Sequence, residues 1–401
     1  MESIMANFHT ALYRSESDQT TKVLSPGEEV PPFLMLRGKA PGVDGITLEL
    51  LQACGPTLYT ALARRFSLYL AKCKVPVAWK QSSTILLFEK GDKEDLENYR
   101  PITLLPVLYK VSTRCIMTRI RRTLDEAQPV VQGGFRRKFS TLDHIITCCR
   151  LIEVAREYRE PLVLTFNDYK KAFDSVVPAK VWEALEEQGV QARHIKVLSE
   201  CYSGYTTVFR PFLNDIEVSV EKGVRQGFPA SPNLFSACLE SVIRNCDWST
   251  FGVLIDGEPL NHLRFADDIV LITRSPDDAS EMLRRIDEEG SKAGLTINKT
   301  KTKFMRSAFS SRQPVLLQGV PLEDVREYVY LGRLLNMEYK IKPKIARRGR
   351  AGWAAYNSIK SVLEDTKGQK LRADLFNSTV LPALCYASKH GQDQASDGNF
   401  P

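Results

Sequence analysis

Hydrophobic and polar positions change their period several times along this chain, and each change marks an element. Up to about Pro32 the residues are polar and weakly patterned, with turn chemistry in SPGEEVPP, so residues 1–37 read as a loose lead-in. Pro41-Gly42 and Asp44-Gly45 supply turns, and an amphipathic helix begins near Thr47. SSTILLFEKGD reads as a strand, and LYKVSTRCIMTRIRRTLDEA carries the period of a long helix. Ser140 with Asp143 three residues on predicts a capped helix whose apolar face is Leu142, Ile145, Ile146, Cys149 and Ile152. PLVLTFND is a short β-rich run bounded by Pro161 and by the polar pair Asn167-Asp168. Two helical patterns follow, one closed by Gly189. In SPDDASEMLRRIDEEGSKAG, Ser275 is the N-cap, Pro276 the first helical residue and Gly294 the terminator. Strands interrupted by helices, with no regular βαβ repeat, indicate the α+β class. The end of the chain, KHGQDQASDGNFP, is a polar tail.

One stretch conflicts with its surroundings. In HLRFADDIVLIT, apolar residues flank Asp267 and Asp268 on both sides, which places the pair in a tight turn between two hydrophobic strands. Taken alone, this is equally a solvated Asp-Asp turn. Asp168, closing a strand expected in the middle of the same sheet, brings a third carboxylate to the same place. Like charges about 4 Å apart repel by roughly 4 kcal/mol at an effective dielectric near 20. Divalent cations remove that penalty. Oxygen ligands favour Mg²⁺ or Mn²⁺, and two such ions suit phosphoryl transfer.

Composition adds bounds. The chain has 401 residues, 43% hydrophobic and 26% charged, which excludes disorder throughout and allows two or three subdomains. Lys and Arg number 55 against 48 Asp and Glu, a net +7 that fits a polyanionic partner without demanding one. Nine cysteines, an odd number with no C-x-x-C pair, argue against a disulfide framework or a zinc site and for a reduced, intracellular protein. No run approaches a membrane span, so no membrane partner is expected. The five histidines, His9, His144, His194, His262 and His390, lack metal-ligand spacing and read as structural.

Several ordered motifs carry a resemblance. LTFNDYKKAFDSV resembles motif A of reverse transcriptases, GVRQGFPASPNLFS motif B and RFADD motif C, in the order of that family. GKAPGVDGI, NYRPITLLPVLYKV, QGGFRRKFSTLDHI, GLTINKTKTKFM, YVYLGRLLN and RAGWAAYNSIK narrow it to the enzymes of non-LTR, LINE-type (RTE-like) retrotransposons, from about Gly38 to about Tyr386. The resemblance implies a right-hand polymerase: lead-in 1–37, fingers 38–160 with the first palm elements, palm 161–338, partial thumb 339–388 and tail 389–401. It implies an RNA-directed DNA polymerase that adds dNTPs to a DNA primer on an RNA template, with two Mg²⁺ ions, Mn²⁺ being an alternative. The expected setting is the nucleus at the site of action and the cytoplasm after synthesis. The family's endonuclease is missing from the sequence, so a truncated copy is expected, one that needs a nick made elsewhere.

The resemblance also distributes roles. Asp168 and Asp267 are implied metal ligands, with Asp268 their acidic companion, and Asp174 is read as structural. Phe173 matches the bulky residue that blocks a 2′-hydroxyl. Arg100, with Lys90 assisting, matches a triphosphate clamp. Gly223, Gln226 and Gly227 let the motif B backbone approach the base pair closely. Lys301 is the implied proton donor to pyrophosphate, with Lys299 and Lys303 as neighbours. Arg136 and Arg137, and the run Lys340, Lys342, Lys344, Arg347, Arg348 and Arg350 ahead of Trp353, are implied nucleic-acid contacts, although a charge run is also a common solvated helix face. Phe228, Ala230, Lys138 and Asn167 depart from the family's usual residues, and none of them removes a metal ligand. A decayed copy that only binds nucleic acid is the alternative from another class. An intron-encoded maturase or RNA-copying enzyme is the alternative within the fold.

Overall fold

The computed structural model of the protein describes residues 40–42, 44–88, 92–94, 98–136, 139–209, 215–225, 227–338, 342–366 and 368–385. Helices α1 (Leu48–Ala53) and α2 (Gly55–Lys72) lead into strands β1 (Gln81–Phe88) and β2 (Tyr99–Leu104). Helices α3 (Val107–Ala127) and α4 (Thr141–Glu157) follow, then β3 (Val163–Asn167), the single turn α5 (Ala172–Ser175), α6 (Pro178–Glu187) and α7 (Ala192–Tyr202). Strands β4 (Thr206–Phe209) and β5 (Ile216–Ser219) precede α8 (Ser231–Arg244). The small hairpin β6 (Val253–Ile255) and β7 (Glu258–Leu260) leads to β8 (His262–Phe265), β9 (Asp268–Thr273), α9 (Pro276–Lys292) and β10 (Lys303–Arg306). Short strands β11 (Leu316–Leu317), β12 (Val320–Pro321) and β13 (Glu323–Asp324) precede the hairpin β14 (Glu327–Tyr330) and β15 (Arg333–Asn336). Helices α10 (Lys342–Asp365) and α11 (Gln369–Cys385) close the described chain.

Local signals set the helix starts. The Thr47 hydroxyl accepts from the Leu50 N–H at α1, and Ser275 from the Asp278 N–H at α9. At α4 the Ser140 and Asp143 side chains form the full reciprocal capping box. Its apolar face is as expected at Ile145, Cys149 and Ile152, while Leu142 and Ile146 are only half-buried and His144 and Cys148 are buried. Gly294 follows α9 with φ 82°, a conformation that costs glycine little.

The sheet that organises the molecule has the order β13-β10-β3-β9-β8. Strand β3 lies antiparallel to both β10 and β9, with Asn167 opposite Ile269. All five of its residues are buried, because both faces are covered. Alternation sends Val163, Ile269 and Leu271 into one core with α8 and α9, and Leu164, Phe166, Val270 and Ile272 into another with α4 and the β14–β15 hairpin. Strands packed on both faces read as continuous apolar runs, which is why PLVLTF lacks a polar stripe.

A second sheet has the order β2-β1-β4-β5, with β1 parallel to β4. Its strands come from both sides of residue 160, so β4 and β5, inside the stretch expected as palm, are hydrogen-bonded to the stretch expected as fingers. A parallel pair so distant in sequence leaves no local signature. The nine cysteines are free thiols. Among the described residues no helix is long and apolar enough to cross a membrane. The lead-in and the tail 389–401 lie outside the described residues.

Candidate active site

Asp168 stands one residue past the last paired position of β3, where the sheet ends and a side chain can leave the core. Its main-chain N–H donates to Thr302 Oγ1 at 3.2 Å and its carbonyl accepts from the Asn298 N–H at 2.7 Å, so one loop fixes both sides of the residue. That loop also carries Lys301, whose Nζ lies 3.7 Å from Asp168 Oδ2. Lys303 instead pairs with Glu323, and geometry therefore separates Lys301 from its neighbour.

The β8–β9 hairpin turns through Ala266 and Asp267, with Phe265 opposite Asp268. Ala266 has φ 61°, the sign a tight hairpin needs at its first central position, held here by a residue with a Cβ. Contacts beneath the turn hold it there. Arg264 N–H donates to the Val131 carbonyl, and the Arg264 carbonyl accepts from the Gly133 N–H, both at 2.9 Å. Gly134 then passes so close that a Cβ on it would lie 2.2 Å from Ala266 N. The Phe265 ring packs edge-on against buried His144 at 5.9 Å.

Burial, then the charge of Asp168, raises the Asp267 carboxyl, and the Arg100 guanidinium works the other way. Crowding by protein, then Asp267 and Asp168, pushes Asp268 up to about 7. Solvent reaches part of this side chain, which moderates the burial contribution but not the sign that two like charges impose. Tyr328 of β14 stacks on Phe166 at 4.0 Å, and burial followed by Asp268 and Asp168 raises its hydroxyl to about 12. The hairpin therefore lies beside the carboxylates.

Among the described residues no three His, Cys, Asp or Glu side chains form a ready-made metal cage. Mg²⁺ is usually held through one or two carboxylates, with water and substrate phosphates completing its shell. The oxygen-only set of Asp168 and Asp267, disfavoured as two charges, with Asp268 beside it, fits that kind of ion.

Motif A continues into α5. The Phe173 carbonyl accepts from the Val224 N–H at 2.6 Å, and its ring stacks on Phe235 of α8 at 4.5 Å. A Cβ on Gly223 would lie 2.8 Å from Asp174 main-chain atoms, and one on Gly227 2.8 Å from the Thr103 carbonyl oxygen. The two glycines therefore let the loop before α8 press against α5 and β2. Arg225, which sequence reasoning passed over, is buried in this loop. It donates to Tyr109 Oη at 2.9 Å and the Cys201 carbonyl at 2.6 Å, under the ring of Tyr205 at 3.3 Å. Two family departures are packing: Phe228 stacks on Tyr109 at 5.2 Å, and Ala230 is fully buried.

Several expected contacts have other partners. Arg136 donates to the Pro129, Gln132 and Asp125 carbonyls, so its guanidinium braces a loop. Arg347 and Arg348 both donate to the Gly332 carbonyl, tying α10 to the β14–β15 turn. Arg350 is exposed, as is Arg100 on β2, opposite Leu87. Lys90, Arg137, Lys138, Gln226 and Lys340 lie outside the described residues, as do the side chains of Lys342 and Lys344. Buried Arg264 and Glu240 form an ion pair that periodicity could not reveal, although the Arg stands inside RFADD.

The chain is 27% identical over 362 residues to the Pol polyprotein from the type-1 retrotransposable element R2 of Popillia japonica, covering 86% of this chain and 49% of that protein. A transposon-derived protein of Caenorhabditis elegans is 44% identical over 140 residues, 34% of this chain and 50% of that one. The apo telomerase from Candida tropicalis aligns with 12% identity and a TM-score of 0.49, over 82% of this chain and 62% of that chain. The chain thus spans about half the length of these curated relatives. The reverse transcriptase (RNA-dependent DNA polymerase) family matches residues 89–335, more than half of the chain and the whole of the carboxylate site, and the chain belongs to that family.

Proposed function

We propose that this chain is an RNA-directed DNA polymerase of the non-LTR retrotransposon type, a nucleotidyltransferase that extends a DNA primer with dNTPs on an RNA template in the nucleus. The observation that carries the proposal is the meeting of three carboxylates at the ends of two adjacent strands, Asp168 beyond β3 and Asp267-Asp268 at the β9 turn, close enough to raise one another's pKa values. Divalent ions, Mg²⁺ or Mn²⁺, supply charge neutralisation and an activated 3′-oxygen when bound there. Asp168 and Asp267 are the residues to hold them, with Asp268 alongside.

The remaining residues position and discriminate. Lys301 carries a proton beside Asp168, where the leaving pyrophosphate would take it up. Arg100, whose field already reaches Asp267, faces the triphosphate. Phe173, stiffened from behind by Phe235, walls off the sugar 2′ position. The Gly223–Gly227 loop supports the base pair, and Arg350 with the start of α10 follows the phosphate backbone. The stretches 38–160, 161–338 and 339–388 serve as fingers, palm and thumb, with β4 and β5 built into the fingers sheet.

Primer extension on an RNA template with Mg²⁺ and dNTPs tests this, comparing the parent with Asp267→Asn. Extension by the parent that disappears in the variant supports both the activity and the metal site. Template binding by both without extension makes the chain a nucleic-acid binder instead.

A further inference from the structure

Phe135 combines three features that stability alone does not explain. Its φ is 62°, in the left-handed region that disfavours residues carrying a Cβ. Its ring is 44% exposed, so burial returns little for that strain. The ring also stands edge-on to Phe173, with centroids 6.2 Å apart and an interplanar angle of 88°.

Both neighbours hold the strained backbone in place. The Gly134 N–H donates to Gln132 Oε1 at 3.2 Å, and Gly134 cannot shift toward Ala266, which it already touches. On the other side the Arg136 guanidinium is bound to three main-chain carbonyls, two of them within 3.0 Å. Residues kept in sparsely populated conformations by over-determined surroundings gather at sites where geometry matters for function.

Phe173 is half-buried. Phe235 supports one face of it by stacking at 4.5 Å, with 20° between the planes. Phe135 is the second aromatic contact, and it comes from a different segment of the chain. An edge-to-face partner restricts rotation of the ring it abuts, because rotation would trade the favourable quadrupole contact for a clash or a gap.

We infer that Phe135 is a specificity-positioning residue that buttresses Phe173, so that the Phe173 ring discriminates between the deoxyribose and ribose of the incoming nucleotide. The inference rests on the reading of Phe173 as the wall against the 2′ position. Phe135 acts through Phe173 and does not itself take part in bond making. The strain at Phe135 is what places an aromatic ring where glycine would suit the backbone best.

The conformation supplies its own control. Phe135→Gly removes the ring and relieves the positive φ, so the fold is at least as stable as the parent. The experiment measures kcat/KM for dNTP and for the matching rNTP on an RNA template with a DNA primer, with thermal unfolding alongside. The variants are Phe135→Gly, Phe135→Tyr and Phe173→Ala. Phe173→Ala is expected to collapse the deoxy-to-ribo ratio. Phe135→Gly is expected to lower that ratio by between about twofold and tenfold, the worth of one aromatic pair, at an unchanged or raised unfolding temperature. Phe135→Tyr keeps the ring and the parent ratio. A parent-like ratio in Phe135→Gly, with the ratio lost in Phe173→Ala, overturns the role of Phe135 alone. A parent-like ratio in Phe173→Ala overturns the sugar-wall reading and this inference together. No extension by the parent refutes the polymerase reading beneath both.

Discussion

Gly134→Ala tests whether backbone packing beneath the catalytic turn sets its position. The added Cβ would stand 2.2 Å from Ala266 N and 3.0 Å from both Ala266 Cα and Phe265 C. Ordinary contact begins near 3.4 Å, so the turn and the Gly133–Gly134 segment must separate by about 1.2 Å. Neither side yields easily, since the segment is bonded to Arg264 through Gly133 and Val131. Asp267 follows Ala266 directly and moves with it. A misplacement of about 1 Å at a reacting centre costs on the order of a hundredfold, roughly 2.7 kcal/mol of barrier. Single-turnover primer extension at saturating dNTP is therefore expected to slow about a hundredfold, with template binding retained and about 1–3 kcal/mol of stability lost to overpacking. Gly290→Ala in α9 is the control: its Cβ would meet nothing nearer than 3.6 Å, and the helix gains up to about 1 kcal/mol. Parent-like extension by Gly134→Ala refutes the argument that this contact places the carboxylates.

Other expectations concern stability and the chemical step. Glu240 bonds buried Arg264 and accepts from Arg244 Nε at 2.7 Å, so Glu240→Gln leaves a guanidinium uncompensated and costs about 3–5 kcal/mol in urea unfolding, whereas Glu240→Met with Arg264→Met costs much less. Equal costs for the two would sink that reasoning. Burial holds the His144 imidazole down at about 4, against 6.5 unfolded, so its neutral form is favoured by the fold. The corresponding stability is complete above about pH 6.5 and is lost as pH falls toward 4, about 3 kcal/mol in all. The difference in unfolding free energy between the parent and His144→Gln should shrink across that window, and a constant difference rules the effect out. Lys301→Ala is expected to slow the chemical step by about a hundredfold or more, and Lys301→Arg to slow it too, since a guanidinium keeps the charge but does not release a proton. Full activity in Lys301→Arg leaves only a charge role for this residue.

The sequence by itself determined what depends on neighbours along the chain. The alternation around Asp267-Asp268 specified a hairpin with an acidic turn, and the apolar run before Asp168 specified a strand covered on both faces. Hydroxyls and carboxylates at Thr47, Ser140, Asp143 and Ser275 marked helix starts, because a cap bonds to N–H groups two or three residues away. The ordered motifs pointed to the reverse transcriptase family. Tertiary structure decided whatever depends on contacts between distant segments. Strand β4 joins β1 across more than a hundred residues, and nothing local encodes a parallel pairing. Arg136, Arg347 and Arg348 read in sequence as free cations, yet the fold directs main-chain carbonyls at them. Gly134 and Phe135 look like ordinary loop residues until Ala266 and Phe173 are brought against them. Period and capping are short-range physics written in adjacent letters. The partner of a buried charge, the clearance around a glycine and the ring facing another ring are fixed only when the chain closes on itself.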